Sequence, residues 1–301
     1  MIAVVGVGAV GAVCAARLAQ RGDLCCCVRT PFRELVLEAP GARLVSSPRV
    51  ETDPARVGPA EWVLLATKAH QIEGAAPWLE ALVGAETRVA VLQNGVEHAE
   101  RVAPWVPPAQ VLPVVVLCPC VVVAPGHVQQ RTPARLTVPA GADGAAFAAL
   151  FTGSDIAVSQ SADFRLDAWR KLCLNVVSGA LAALAGRPVP EIDAARRQKI
   201  GRALARECAV VARAEGAALS DAEAQEVADR VARMSSGGAP SILADRLAGR
   251  PLEWDARNGA VVRLGARHGI DAPVGRRACA LLREAHRDRT SDWLPRLAEA
   301  L

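Results

Sequence analysis

A doubly wound, mostly parallel α/β domain followed by an all-α domain is the architecture that this 301-residue sequence predicts, on three observations. A glycine-rich turn, Gly6-Val7-Gly8-Ala9-Val10-Gly11, stands between an apolar run and a helical pattern. Short, nearly all-apolar, β-rich runs then alternate with helical stretches through the first half, as buried parallel strands and their crossovers do. From about Phe164 such runs vanish, and Ala, Arg, Leu and Glu dominate at helical spacing. The length suits two domains of about 150 residues, and the change of texture divides the chain into residues 1–163 and 164–301.

The predicted strands are Ile2–Val5, Leu24–Val28, Trp62–Ala66, Arg88–Leu92 and Val111–Leu117. Between the first two, apolar residues at 10, 13, 14 and 18 mark a helix over Ala9–Arg21, and Gly22 stops it. Val121–Val138, with the turn Pro125-Gly126, reads as short strands or a hairpin appended to the sheet. Helical patterns cover 164–185, 195–216, 221–234 and 255–268, and a last helix over 273–286 follows Asp271-Ala272-Pro273. Ser235-Ser236-Gly237-Gly238 is the one flexible-looking stretch.

Composition narrows the function. Hydrophobic residues make up 51% and charged residues 22%, enough to bury cores and to exclude disorder. A net charge of +4 without a basic run, and aromatics at 3%, argue against nucleic-acid binding. The most apolar run, Val111–Ala124, is shorter than the ~18 residues a membrane span needs and is broken by Pro113 and Pro119. Met1–Val5 lacks a basic region and reads as a buried strand rather than a signal peptide. The nine cysteines form no CxxC pair and none has zinc-like spacing to a histidine, so reduced thiols in a cytoplasmic protein without a metal site are expected. Hydrolase and kinase motifs are absent.

The chemistry-bearing residues cluster at predicted strand ends and on two helices. Gly6 permits a tight turn, Gly8 a close backbone approach to a pyrophosphate, and Gly11 close helix–strand packing, with the helix amino terminus facing the phosphates; this is the Rossmann dinucleotide fingerprint. Where an NAD-binding carboxylate is expected, roughly 20 residues on, the sequence has Arg29-Thr30. A guanidinium there pairs with the 2′-phosphate of NADPH, the alternative being a solvated strand-end arginine. Lys68 and Gln71 follow the strand at 62–66, and Gln93-Asn94-Gly95 follows the strand at 88–92, both at ligand-binding strand ends. Asn94 offers donor and acceptor groups to a ribose or substrate, or is a turn residue before Gly95.

Lys171 and Asn175 lie four apart on one face of an otherwise apolar helix. Only three of the 35 basic residues are lysines (68, 171 and 199), and an ammonium, unlike guanidinium, readily gives up a proton. The alternative is a surface lysine. Glu253 and Asp255 are placed in the first turn of a further helix, where they also suit its dipole.

Together these motifs resemble the ketopantoate reductase (2-dehydropantoate 2-reductase) family: GxGxxG at Gly6–Gly11, K-x-x-Q at Lys68 and Gln71, Q-N-G at Gln93–Gly95, W-x-K-L-x-x-N at Trp169–Asn175, and E-x-D-x-x-N-G at Glu253–Gly259. The resemblance implies a Rossmann domain joined to a helical domain like that of 6-phosphogluconate dehydrogenases. It implies NADPH-dependent reduction of a 2-oxo acid, ketopantoate or a bulkier relative, with Lys171 as general acid and Glu253 as a carboxylate near the nicotinamide. Asn94, Asn175, Ser241 and Asp245 are then substrate-binding. Gly6 to Gly11, Arg29, Lys68, Gln71, Asn94, Cys120 and Glu253 are the residues of the cofactor site. A homodimer is expected by analogy alone. One departure stands out: the family's second asparagine on the lysine helix is replaced by Gly179, which leaves room for a larger or less polar substituent, with Ser178 compensating in part. A related 3-hydroxyacid or polyol-phosphate dehydrogenase is the alternative enzyme, and a non-catalytic NADPH sensor the alternative outside enzymes.

Overall fold

A computed structural model describes residues 1–235 and 240–299 of the chain. The expected flexible stretch 235–238 therefore falls, beyond Ser235, outside the described residues. The chain divides into two compact units, Met1–Phe164 and Arg165–Leu301.

The first unit is built on strands β1 (Ile2–Val5), β2 (Leu24–Cys27), β3 (Leu35–Ala39), β4 (Ala42–Ser46), β5 (Arg49–Glu51), β6 (Trp62–Leu65), β7 (Arg88–Val91), β8 (Val111–Pro113), β9 (Val115–Leu117), β10 (Cys120–Ala124), β11 (His127–Gln130), β12 (Arg135–Pro139) and β13 (Ala157–Ser161). Helices α1 (Ala9–Leu18), α2 (Ile72–Leu82), α3 (His98–Val102) and α4 (Ala142–Ala149) lie between them. Six strands form one sheet in the order β5-β2-β1-β6-β7-β8, and every pair in it is parallel. The chain winds outward from β1 in both directions, so the β1/β6 boundary is the topological switch point. Val5 is level with Cys27 and Leu65, and Leu65 with Val91. The residues after β1, β2, β6 and β7 consequently emerge along one sheet edge. Residues of β1, β2, β6 and β7 are buried on both faces, in two separate clusters, which is why their sequences are continuous apolar runs rather than alternating ones.

The run Val111–Leu117, expected as one strand, is two. Val111–Pro113 completes the parallel sheet, whereas Val115–Leu117 pairs antiparallel with β12 in a three-stranded sheet. Proline at 113 donates no amide, and an unbroken apolar run carries no periodic mark of the change. A further sheet, β10-β11-β3-β4, joins the expected hairpin around Gly126 to an unforeseen one at Leu35–Ser46. Arg17 near the end of α1 makes a bidentate ion pair with Asp155 (2.7 Å to each oxygen) and donates to Gln130 (2.8 Å), fixing the helix against β11 and the approach to β13.

The second unit comprises α5 (Phe164–Ala185), α6 (Ala194–Ala214), α7 (Asp221–Ala232), α8 (Ser241–Leu247), α9 (Asn258–Arg267), α10 (Pro273–Ala285) and α11 (Leu294–Ala298). Helix α5 starts at the last residue of the first unit and is buried almost continuously from Ala168 to Ala185. Gly201 of α6 lets Val177 approach (3.2 Å from a Cβ built on it), and Asn258 of α9 donates to the Val176 carbonyl at 3.3 Å. Gly186 ends α5 at φ +69°, and buried Arg246 of α8 donates to the carbonyls of Ala183 and Leu184 that the helix end leaves open. The same guanidinium donates to the carbonyls of Asp288 and Ser291, closing the loop before α11. Among the described residues no helix is long and apolar enough to cross a membrane.

Candidate active site

In the first unit, three strand ends converge at the switch point. Gly6, after β1, adopts φ +89°, and a Cβ on it would lie 2.7 Å from the Thr67 side chain and 2.9 Å from the Thr67 amide nitrogen. A Cβ on Gly11 would lie 2.1 Å from the Gly6 carbonyl oxygen. Both positions therefore admit glycine only. Gly8 differs: a Cβ there would meet nothing within 4 Å, so its backbone faces open space at the amino terminus of α1. No acidic residue occupies the first turn, and the helix end presents free N–H groups and positive dipole to an anion. Val7 and Val10 of the turn pack against a core cluster of this unit, and so does Cys120 of β10.

Thr67, after β6, accepts from the Gln93 side-chain nitrogen at 3.0 Å, which ties the second strand end to the third. Gln93 is buried and its side-chain oxygen has no partner, so a polar group is oriented in this edge with capacity to spare. His98, not singled out by the sequence, holds the Gln93 carbonyl through Nε2 at 3.1 Å; burial lowers its pKa to about 4, so the ring is neutral and donates. Asn94 and Gly95 (φ +115°) follow, half-buried. Lys68 is half-buried, and its amide donates to the Gln71 side-chain oxygen (3.3 Å) while the Gln71 amide donates to the Lys68 carbonyl (2.8 Å). Gln71 thus closes the turn that presents Lys68. Arg29 and Thr30 are exposed just past β2.

In the second unit, Lys171 is half-buried on α5 with buried Asn175 one turn on. Desolvation, then the charges of Arg257 and Arg230, lower the ammonium pKa to about 8. It is not an ordinary surface lysine. Glu253 is buried, and it precedes α9 rather than opening it: the helix starts at Asn258 and has no acid in its first turn, so the dipole reading of Glu253 and Asp255 lapses. Instead Glu253 faces Arg257 (3.4 Å), and Arg257 donates to the exposed Ser241 hydroxyl at 2.8 Å. Asp245, one turn after Ser241, is buried with its carboxylate on Arg250 (3.0 Å).

The gap expected beside Gly179 is filled. A Cβ there would lie 3.2 Å from Nη1 of Arg257 and 3.4 Å from Ile242. Ser178 does not compensate, because its hydroxyl donates to its own helix at the Leu174 carbonyl (2.7 Å). Arg257 was hidden in the sequence by the abundance of arginine; its one signal was a cation between the acidic and asparagine positions of an apolar segment. Among the described residues no three His, Cys, Asp or Glu side chains are grouped as a metal site, and all nine cysteines are free.

The chain matches the family described as Ketopantoate reductase PanE/ApbA over residues 2–180, and the corresponding C-terminal family over residues 163–286. It is 43% identical over 286 residues to a 2-dehydropantoate 2-reductase of Caulobacter vibrioides, covering 94% of this chain and 98% of that one. A Mycobacterium tuberculosis protein of the same description is 41% identical over 276 residues, covering 91% and 93%. Among solved structures, a PanE/ApbA family ketopantoate reductase from Ralstonia eutropha superposes with a TM-score of 0.86 at 29% identity, over 97% of this chain and all of that one.

Proposed function

This chain belongs to the ketopantoate reductase PanE/ApbA family and is an oxidoreductase, and on that premise we propose that it reduces a 2-oxo acid, ketopantoate or a relative, to the 2-hydroxy acid with NADPH as electron donor and Lys171 as proton donor. The observation that carries the reading is Lys171 itself: a half-buried ammonium at about 8, beside a second cation, on the helix that also carries Asn175.

The Gly6–Gly11 turn, with the helix end above Gly8, holds the pyrophosphate, and Arg29 with Thr30 takes the 2′-phosphate. By match to the family motifs, Lys68, Asn94, Cys120 and Glu253 would be the further cofactor residues, with Gln71 closing the turn that presents Lys68. When bound, the reduced nicotinamide supplies a hydride to the carbonyl carbon. Lys171 holds its proton at Nζ below pH about 8, stabilises the negative charge that develops on the carbonyl oxygen, and delivers the proton to it. Asn175 and Asn94 orient the substrate by hydrogen bonding, and Ser241 and Asp245 complete its surroundings. A positioned acid of this kind contributes roughly 10²–10⁴-fold in rate.

NADPH oxidation followed by absorbance against a panel of 2-oxo acids and neutral ketones, with NADH as control, tests the proposal. Absence of turnover with every 2-oxo acid defeats it. The pH dependence is fixed in sign: kcat/KM for reduction is level below about 8 and declines about tenfold per pH unit above, as the ammonium required as acid deprotonates. Arg29→Glu is expected to cut kcat/KM with NADPH about 10- to 100-fold through lost charge-assisted hydrogen bonds, leaving NADH within a few-fold. Equal losses with both cofactors would remove Arg29 from the phosphate site.

A further inference from the structure

Arg257 is only 2% exposed, yet its guanidinium is incompletely engaged. Nη2 donates to Ser241 Oγ and lies 3.4 Å from Glu253, while Nε is buried with no hydrogen-bond partner among the described residues. Nη1 stands over Gly179, where the hydrogen of glycine is what leaves the guanidinium its place: a Cβ would come within 3.2 Å of it. The group sits close enough to Lys171 for its charge to be felt there, and Arg230 adds to the same field. Lys171 and Arg257 against Glu253 leave a surplus of positive charge while Lys171 is protonated. A desolvated cationic cluster is costly unless an anion completes it. Ser241 points the same way: its oxygen accepts from Arg257, so its own O–H remains to be donated, and the residue is exposed.

We infer that Arg257 is a substrate-binding residue that selects for a carboxylate: with Ser241 it holds the carboxylate of the 2-oxo acid, and Gly179 is the position that makes room for its guanidinium. The inference rests on the reductase reading for its substrate. A planar fork of donors suits a carboxylate and has nothing to accept from an amide N–H. A 2-oxo acid is therefore taken and its neutral 2-oxo amide counterpart is refused, because the amide leaves the cation buried without an anion.

The test is the ratio of kcat/KM for a 2-oxo carboxylate to that for its 2-oxo amide. The native protein is expected to favour the carboxylate about 100-fold or more, Arg257→Met to bring the ratio within about 5-fold of unity, and Arg257→Lys to restore part of it. A role confined to packing or to neutralising Glu253 lowers both substrates together and leaves the ratio where it was, which would overturn the inference. Gly179→Ala, which crowds the guanidinium without removing it, is expected to move the ratio in the same direction; if Arg257→Met does not fold, an unchanged ratio in Gly179→Ala overturns the inference. Calorimetric titration with a 2-hydroxy carboxylate separates this from the reductase reading. Binding that is present in the native protein and at least 30-fold weaker in the variant, without NADPH turnover, sinks the reductase reading and supports Arg257. Turnover with binding unaltered by the variant does the reverse, and neither binding nor turnover in the native protein sinks both.

Discussion

Lys171→Met is expected to lower kcat for 2-oxo acid reduction by about 10²–10⁴-fold while NADPH affinity, measured by fluorescence titration, stays within a few-fold. The same substitution should stabilise the protein. Burial and neighbouring cations take the ammonium from 10.5 to about 8, and each pKa unit corresponds to about 1.4 kcal/mol. The charged form is therefore strained in the folded chain by roughly 3 kcal/mol at most. The sign follows from linkage: between about 8 and 10.5 the unfolded chain keeps a proton that the folded one has released, so native stability rises with pH across that window and is lowest below it. Methionine removes both the strain and that dependence. A raised melting temperature at pH 7 with lost turnover is the expected pair of results. Unchanged NADPH oxidation would remove Lys171 as the acid, and the lysine would then be no more than a tolerated burden.

Arg246→Met is expected to destabilise the protein by about 3–5 kcal/mol, because several backbone carbonyls lose their donor at once. The residue has no measurable exposure, and its guanidinium serves four backbone carbonyls, on Ala183, Leu184, Asp288 and Ser291. Methionine fills similar volume but takes the donor from the carbonyls of Ala183, Asp288 and Ser291, while Leu184 keeps the Trp293 amide at 2.8 Å. For a chain of this size the loss corresponds to a fall in melting temperature on the order of 10 °C, readable by circular dichroism. Arg246→Lys should recover little, because one compact ammonium cannot reach acceptors that diverge across a planar fork. A fall of less than about 2 °C for the methionine variant would show that water replaces the lost donors.

The parts of the fold that were legible in the sequence are those where one force acts alone. Ile2–Val5 is bounded by a glycine turn and buried on both sides, so an apolar run suffices to find it. Helix α5 was legible because burial from Ala168 to Ala185 demanded mostly small and apolar residues there. The break at Val114 was not, since valine suits either sheet. The hairpin at Leu35–Ser46 escaped because Glu38 and Arg43, which face each other across it, look like surface residues of any structure. Helix α8 also went unseen, being seven residues long. At the site, the glycine turn and Lys171 carried local marks. Arg257 did not: what distinguishes it is what surrounds it, and its neighbours Gly179 and Ser241 are 78 and 16 positions away.

The glycine turn has a further consequence. Gly6 and Gly11 are locked against each other and against Thr67 by contacts that forbid a methyl group, whereas Arg29 protrudes into solvent at a strand end. On the proposed NADPH reading, grip on a dinucleotide and choice between its two forms would be lodged in separable pieces of the molecule, one frozen by sterics and one free to vary. Descendants of this chain could switch their reducing currency by a handful of surface replacements, with the scaffold that carries it left untouched.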